Sequence, residues 1–86
     1  MPEISRFLGI IIYIRYNEHN PPHFHAEYGK FNASFSIKDL KLMDGKLPPR
    51  VLSLVLEWAF LHRDELMEDW ELCNKKQSPK KIEPLL

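Results

Sequence analysis

The sequence has little of what defines several common protein classes. A single cysteine, Cys73, excludes an internal disulfide and a cysteine-only metal site, and it fits a reducing cytoplasm. The main apolar run, Phe7 to Ile14, is far shorter than the roughly 20 residues of a membrane helix. Neither a signal peptide nor a Gly-rich phosphate loop is recognisable. The 86 residues therefore predict one cytoplasmic domain, 1–86, that does not enter a membrane.

The charge balance argues against a function that depends on the net charge of the whole chain. Twelve basic and twelve acidic residues cancel, so no overall positive charge draws the chain to nucleic acid or to an anionic membrane. Apolar residues make up 44% of the chain, which is enough for a packed core and argues against disorder. We expect a small folded protein whose function depends on local groups.

Alternating hydrophobicity marks the first half of the chain as β-structure. The pattern predicts strands over about 7–16, 23–28 and 31–37, with a weaker fourth strand within 40–47. Gly29-Lys30, between the second and third of these, fits a tight hairpin turn. These strands predict a three- to four-stranded antiparallel β-meander.

The second half predicts helix. Pro48-Pro49 suits a first helical turn, and helical spacing predicts one long helix over about 49–76; a kink or split near His62 to Asp64 is left open. An irregular tail, 77–86, follows. The fold class is therefore α+β, with the long helix packed on one sheet face. Its core stripe is expected to comprise Val51, Val55, Trp58, Ala59, His62, Leu66, Trp70 and Cys73. Ile82, Leu85 and Leu86 are expected to tie down the tail.

A second apolar line lies roughly opposite that stripe. Leu56, Phe60 and Met67 form it, and one small sheet cannot cover both sides of the helix. The surplus predicts a partner surface, used either for a homo-oligomer or for another small protein.

The most specific chemical feature is a cluster of histidines. His19, His23 and His25 fall within a short segment, and His23, His25 and Glu27 project from one face of the predicted strand. Imidazoles and a carboxylate in this arrangement are ligands for a divalent transition metal such as Zn, Mn, Ni or Fe. The alternatives are metal-free acid–base catalysis and a purely structural role, in which the imidazoles bond to backbone carbonyls.

The position of His62 depends on which sheet face the helix covers. The aromatic face, with Phe24 and Phe35, makes a better core than the face with His23 and His25. We therefore expect His62 at the edge of the core, and its contact with the other two histidines is the less favoured alternative.

Two segments carry a resemblance that covers nearly the whole chain. NPPHFHAEYG and EWAFLHRDEL are similar to sequences of the small bacterial family named Domain of Unknown Function 4160. The resemblance implies a compact α+β domain encoded as a stand-alone cytoplasmic protein. It also implies a gene that often neighbours another small uncharacterised gene, as in toxin–antitoxin pairs. It supplies no settled catalytic residues.

Three functions remain open from the sequence. The favoured one is an interaction component of a two-gene, toxin–antitoxin-like module that uses the Leu56, Phe60 and Met67 surface. The second is a small metal- or histidine-dependent hydrolase or nuclease. In such an enzyme His23 and His25 are expected to be metal ligands. His19 is a third ligand or a proton carrier, and Glu27 a general base.

The third function is nucleic-acid binding, which the zero net charge supports only weakly. It depends on the four lysines that follow the helix, and no aromatic residue stands among them to stack on bases. These lysines are Lys75, Lys76, Lys80 and Lys81.

Overall fold

Residues 2–85 form one antiparallel sheet followed by two helices, which is an α+β fold. The computed structural model describes residues 2–85. Its strands pair in chain order, β1-β2-β3-β4-β5, which confirms the meander but with five strands in place of three or four. The elements are β1 (Glu3–Phe7), β2 (Ile10–Tyr13), β3 (His23–Tyr28), β4 (Phe31–Ser36), β5 (Leu42–Gly45), α1 (Pro49–Leu61) and α2 (Arg63–Asn74).

The single strand predicted over 7–16 is wrong in its bounds. A turn divides this segment, and the residues before the turn belong to an additional strand, β1. Phe7 ends β1, Ile10 begins β2, and the two pair across a turn made of Leu8 and Gly9. Both turn residues have positive φ, 52° and 80°, which is the conformation of two-residue hairpins whose twist matches that of the strands. The turn escapes sequence analysis because Leu8 continues the apolar run and is an unusual residue for left-handed backbone.

The weaker predicted strand exists, but it is short and lies at the sheet edge. β5 pairs with β4, and all four of its residues are exposed. Gly45 is needed there, because its φ is +81° and an added Cβ would lie 2.2 Å from the carbonyl oxygen of Asn32. The Gly29-Lys30 turn between β3 and β4 is confirmed by the pairing of Tyr28 with Phe31.

The helical segment forms two helices where the sequence predicted one long helix, and the split falls at His62, where the prediction had left one open. His62 has φ −125° and ψ 26°, outside the helical region, so α1 ends before it and α2 begins after it. Pro49 occupies the first turn of α1, where its missing N–H removes no hydrogen bond. Within residues 2–85 neither helix has the length and apolar character needed to cross a membrane.

The helices cover the aromatic face of the sheet. The Trp58 indole is fully buried, and its ring centroid lies 5.6 Å from that of Phe7 and 6.1 Å from that of Phe24. Its N–H donates a hydrogen bond of 2.8 Å to the carbonyl of Glu83 in the tail. The expected choice of face is thus confirmed, and the other face of the sheet remains available for chemistry.

The tail lacks helix and strand but is fixed to the rest of the chain. The Ile82 N–H donates to the Ile4 carbonyl at 2.8 Å, which places the tail along the outer edge of β1. Ile82 is buried and Leu85 packs against the core, as expected, while Leu86 lies outside the described residues. One edge of the sheet is therefore covered by the tail, and the β5 edge is exposed.

Candidate functional site

The histidines lie on the sheet face opposite Trp58. Alternation along β3 directs Phe24 into the core, and His23 and His25 to the other side. Tyr13 of β2 is the register partner of His25, and the two rings stack with centroids 5.0 Å apart and an interplanar angle of 12°. This stack holds the His25 ring against the sheet.

The loop between β2 and β3 brings a carboxylate to these imidazoles. Glu18 Oε1 lies 2.7 Å from His25 Nε2, and Glu18 Oε2 lies 3.4 Å from His23 Nε2. The three side chains are only 19%, 15% and 10% exposed, in the order Glu18, His25 and His23. One ligand atom from each lies within 4.8 Å of the other two, so the three side chains form a single site.

The hydrogen bond of His23 fixes which of its nitrogens faces the site. His23 Nδ1 lies 2.8 Å from the carbonyl oxygen of Pro21, which can only accept, so Nδ1 carries a hydrogen. In the neutral ring Nε2 then carries a lone pair, and that lone pair faces Glu18 Oε2. The Trp70 ring of α2, with its centroid 5.1 Å away, packs against His23. A backbone-bonded Nδ1 and a free Nε2 are the usual arrangement of a histidine that binds metal.

His25 and Glu18 form a neutral–ionised hydrogen bond near pH 7. Burial lowers the pKa of His25 below its ordinary value of 6.5, and the opposing effect of Glu18 is smaller, so the ring is neutral. Burial raises the pKa of Glu18. The hydrogen bond from His25 and the nearby positive charges lower it by more, so the carboxylate stays ionised. His25 Nε2 therefore donates to Glu18 Oε1.

This donor set fits a divalent transition-metal ion. Two imidazoles and one carboxylate are the protein ligands of many hydrolytic zinc sites, which keep a fourth position for water. Tetrahedral bonds of about 2.0–2.1 Å place ligand atoms roughly 3.3 Å apart. The 3.4 Å between His23 Nε2 and Glu18 Oε2 already matches that spacing. The 2.7 Å hydrogen bond must lengthen by about half an ångström when an ion replaces its proton.

The structure brings together two of the four residues expected in the cluster. His23 and His25 converge, but His19 is exposed and lies outside the group, and its neighbour Glu18 supplies the third side chain. Glu27 shares the face of His25 but lies two register positions further along, opposite Ile11, and is not part of the group. The predicted third ligand is thus replaced by a carboxylate.

The sequence offered Glu18 as a candidate ligand but not its position. Glu18 is a carboxylate next to His19, in the loop just before the Asn20-Pro21-Pro22 segment that leads to β3. The sequence interpretation weighted the imidazole of His19 above the adjacent carboxylate, although both types are metal ligands.

His62 lies away from the site, in agreement with the favoured expectation. Its Nδ1 is 2.6 Å from Glu65 Oε1, and its ring centroid is 5.5 Å from that of Trp58 on the helix side of the sheet. His62 therefore joins the two helices at their break and has no part in the His23 and His25 cluster.

Most of the apolar line on the helices packs against the core of the protein. Leu56 and Met67 are half-buried and pack against the core, whereas Phe60 is 71% exposed. Leu61, beside it, is 61% exposed. The break after Leu61 changes the helix direction, so the exposed apolar surface is this adjacent pair rather than the full predicted line.

Two of the four tail lysines are engaged in contacts within the chain. Lys80 Nζ lies 2.9 Å from Glu68 Oε2, and Lys81 Nζ donates to the Glu3 carbonyl at 2.9 Å. These contacts give the two lysines a role in fixing the tail.

The structure thus defines an α+β meander protein with a two-histidine, one-carboxylate site on its open face. Residues 9–71 match the family described as Domain of unknown function (DUF4160), and the chain belongs to that family. The matched segment contains all three residues of the site. No curated protein and no solved structure matches the chain.

Proposed function

We propose that this protein binds a divalent transition-metal ion through Glu18, His23 and His25 and acts as a small metal-dependent hydrolase. One observation carries the proposal: with His23 Nδ1 bonded to the Pro21 carbonyl, His23 Nε2 faces an oxygen of the ionised Glu18 carboxylate at 3.4 Å. Two acceptors at that distance repel each other unless a proton or a cation lies between them. A metal ion there would turn the repulsion into two bonds.

The chemistry follows from the number of ligands. Three protein ligands leave a position for water, and a bound Zn²⁺ lowers the pKa of that water to about 7. Held by Glu18, His23 and His25, such an ion would supply a water of lowered pKa as the nucleophile for hydrolysis of an ester, in which the bond to the leaving oxygen would break and that oxygen would take up a proton. His19, next to Glu18 in the loop before β3, is the proposed carrier of that proton.

The first experiment measures metal binding by the untagged protein after treatment with a chelator. Zn²⁺ at a hundred times its Kd should stabilise the fold by about 2.7 kcal/mol and raise Tm by roughly 10–20 °C. Co²⁺ should give the visible spectrum of a four-coordinate site. A Tm that does not respond to Zn²⁺, Mn²⁺, Ni²⁺ or Co²⁺ overturns the proposal and favours a proton between His23 and Glu18.

The chain offers a matched control for each type of ligand, histidine and glutamate. His25→Gln and Glu18→Gln should abolish the metal-induced rise in Tm, because each removes a ligand. His19→Gln and Glu27→Gln change the same residue types close by and should keep it. Equal loss in His19→Gln and His25→Gln would contradict the site assigned above and support the cluster that the sequence predicts.

A second candidate function rests on the exposed pair Phe60 and Leu61. Two adjacent large apolar side chains at 71% and 61% exposure favour an interaction component of a toxin–antitoxin-like module, bound to itself or to the product of a neighbouring gene. Sedimentation of the chain, alone and with that product, should show an assembly that Phe60→Ser weakens. Leu42→Ser, at another exposed apolar site, is the control. A strict monomer that does not bind the product would remove this candidate.

A further inference from the structure

Arg15 lies at the mouth of the site and is held there by stacking. Its guanidinium carbon is 5.7 Å from the centroid of the Tyr13 ring, and Tyr13 stacks on His25. Arg15 Nη1 is 4.0 Å from Glu18 Oε1, which is too long for a hydrogen bond. With its side chain 52% exposed, the guanidinium therefore faces solvent next to the metal ligands, and its N–H donors remain available to a ligand.

We propose that the site takes a phosphate ester, whose phosphoryl oxygens bind both the metal ion and Arg15. This inference rests on the proposed metal site. A dication, one guanidinium and the single carboxylate of Glu18 leave two positive charges, which favour a dianionic or monoanionic group. The planar fork of a guanidinium matches two oxygens of a phosphate, and metal ions and arginines together stabilise the charge of phosphoryl groups.

Two acidic groups on the same face, Glu27 and Asp44, lie on the other side of the histidines from Arg15. Glu27 is the register partner of Ile11, and Ile11 precedes Arg15 by four residues, or roughly 13 Å along a strand. Asp44 faces Ser34, which in turn faces His25, so Asp44 lies two strands from His25, or about 10 Å away. An anion bound on the Arg15 side of the metal is therefore remote from Glu27 and Asp44. The carboxylate of Glu3, whose register partner is Tyr13, is paired with the Arg6 guanidinium at 2.8 Å.

The test uses the full chain loaded with Co²⁺ and titrated with inorganic phosphate and with phenyl phosphate. Both should change the visible cobalt spectrum, because a phosphate oxygen replaces the bound water. Arg15→Met keeps much of the apolar contact with Tyr13, and it should weaken binding of both by at least about tenfold while Co²⁺ binds as before. Arg50→Met, at an exposed position on α1, should bind both as the unchanged protein does.

The outcomes separate this inference from the metal site. Failure to bind Co²⁺ overturns the proposed function itself. A normal cobalt spectrum that neither phosphate alters, or equal phosphate binding by Arg15→Met and Arg50→Met, overturns the role of Arg15 and leaves the metal site in place. Binding of inorganic phosphate without phenyl phosphate overturns the ester as the substrate class.

Discussion

The two faces of the sheet carry out different tasks. The face under the helices contains close-packed rings such as Phe24, Phe35 and Trp58, all fully buried. The opposite face gathers ionisable side chains, Glu18, His23 and His25, which are buried by the β2–β3 loop, by Tyr13 and by Trp70 at the end of the sheet. Stability and chemistry are therefore placed on opposite sides of one layer, and substitutions on the two sides should have separable effects.

The largest effect is expected for Trp58→Ala on the helix side. Removing a fully buried indole that contacts Phe7 and Phe24 should lower the free energy of unfolding by about 3–5 kcal/mol. Phe60→Ala changes an exposed ring on the same helix and should stay within about 0.5 kcal/mol. Urea unfolding of the metal-free variants provides the measurement. Similar losses in the two variants would contradict this assignment of the core.

The next prediction concerns the pH dependence of stability. The contribution of Asp69, on the helix side, falls as the pH rises, and that of His25, on the open face, falls as the pH decreases. Asp69 of α2 is buried; one oxygen accepts the Lys80 N–H at 2.9 Å, and the other finds no partner within residues 2–85. Burial raises the pKa of Asp69 from 3.8 to about 6. Its stabilising contribution is therefore fully present below about pH 4 and is lost as pH rises through about 6.

The open face responds in the other direction. The pKa of His25 is lowered by burial, so its contribution is present above 6.5 and is lost as the pH falls through the lowered pKa. Glu18, whose pKa is lowered overall, loses its contribution at still lower pH. Thermal unfolding of metal-free protein between pH 4 and pH 8 should show both trends.

Two variants separate these pH effects. Asp69→Asn should be more stable than the unchanged protein at pH 8, by an amount that shrinks toward pH 4 and is at most about 3 kcal/mol. His25→Gln should remove the loss of stability that begins below pH 6.5. The assignment fails if both variants keep the pH profile of the unchanged protein.

The sequence predicted most of the helix side and about half of the site. Alternation and helical spacing depend on local order, so they placed His23 and His25 on one face and Trp58 in the core. The break at His62 was one of two alternatives that the helical spacing left open. Glu18 was missed, because its place depends on how the 14–22 segment folds back over β3, and no periodicity encodes that return.

The β1–β2 turn was missed for a related reason. A continuous apolar run predicts one strand unless a turn residue interrupts it. Gly9 alone was too weak a signal for a turn, because the apolar Leu8 precedes it. The structure places Leu8 in left-handed backbone with its side chain 54% exposed, so hydrophobicity at this position misled the sequence interpretation.

The smallest predicted effect is that of a substitution in the β1–β2 turn, and it tests whether the two faces of the sheet are independent. Leu8→Asn should stabilise the protein by about 0.5–1 kcal/mol, since asparagine tolerates positive φ and Asn-Gly favours this turn, while little buried area is lost. The gain in Tm should be equal in metal-free and Zn²⁺-loaded protein, because the turn belongs to neither face. A changed Zn²⁺ affinity in this variant would show that the site responds to strain at the far end of β2 and that the separation of the faces is incomplete.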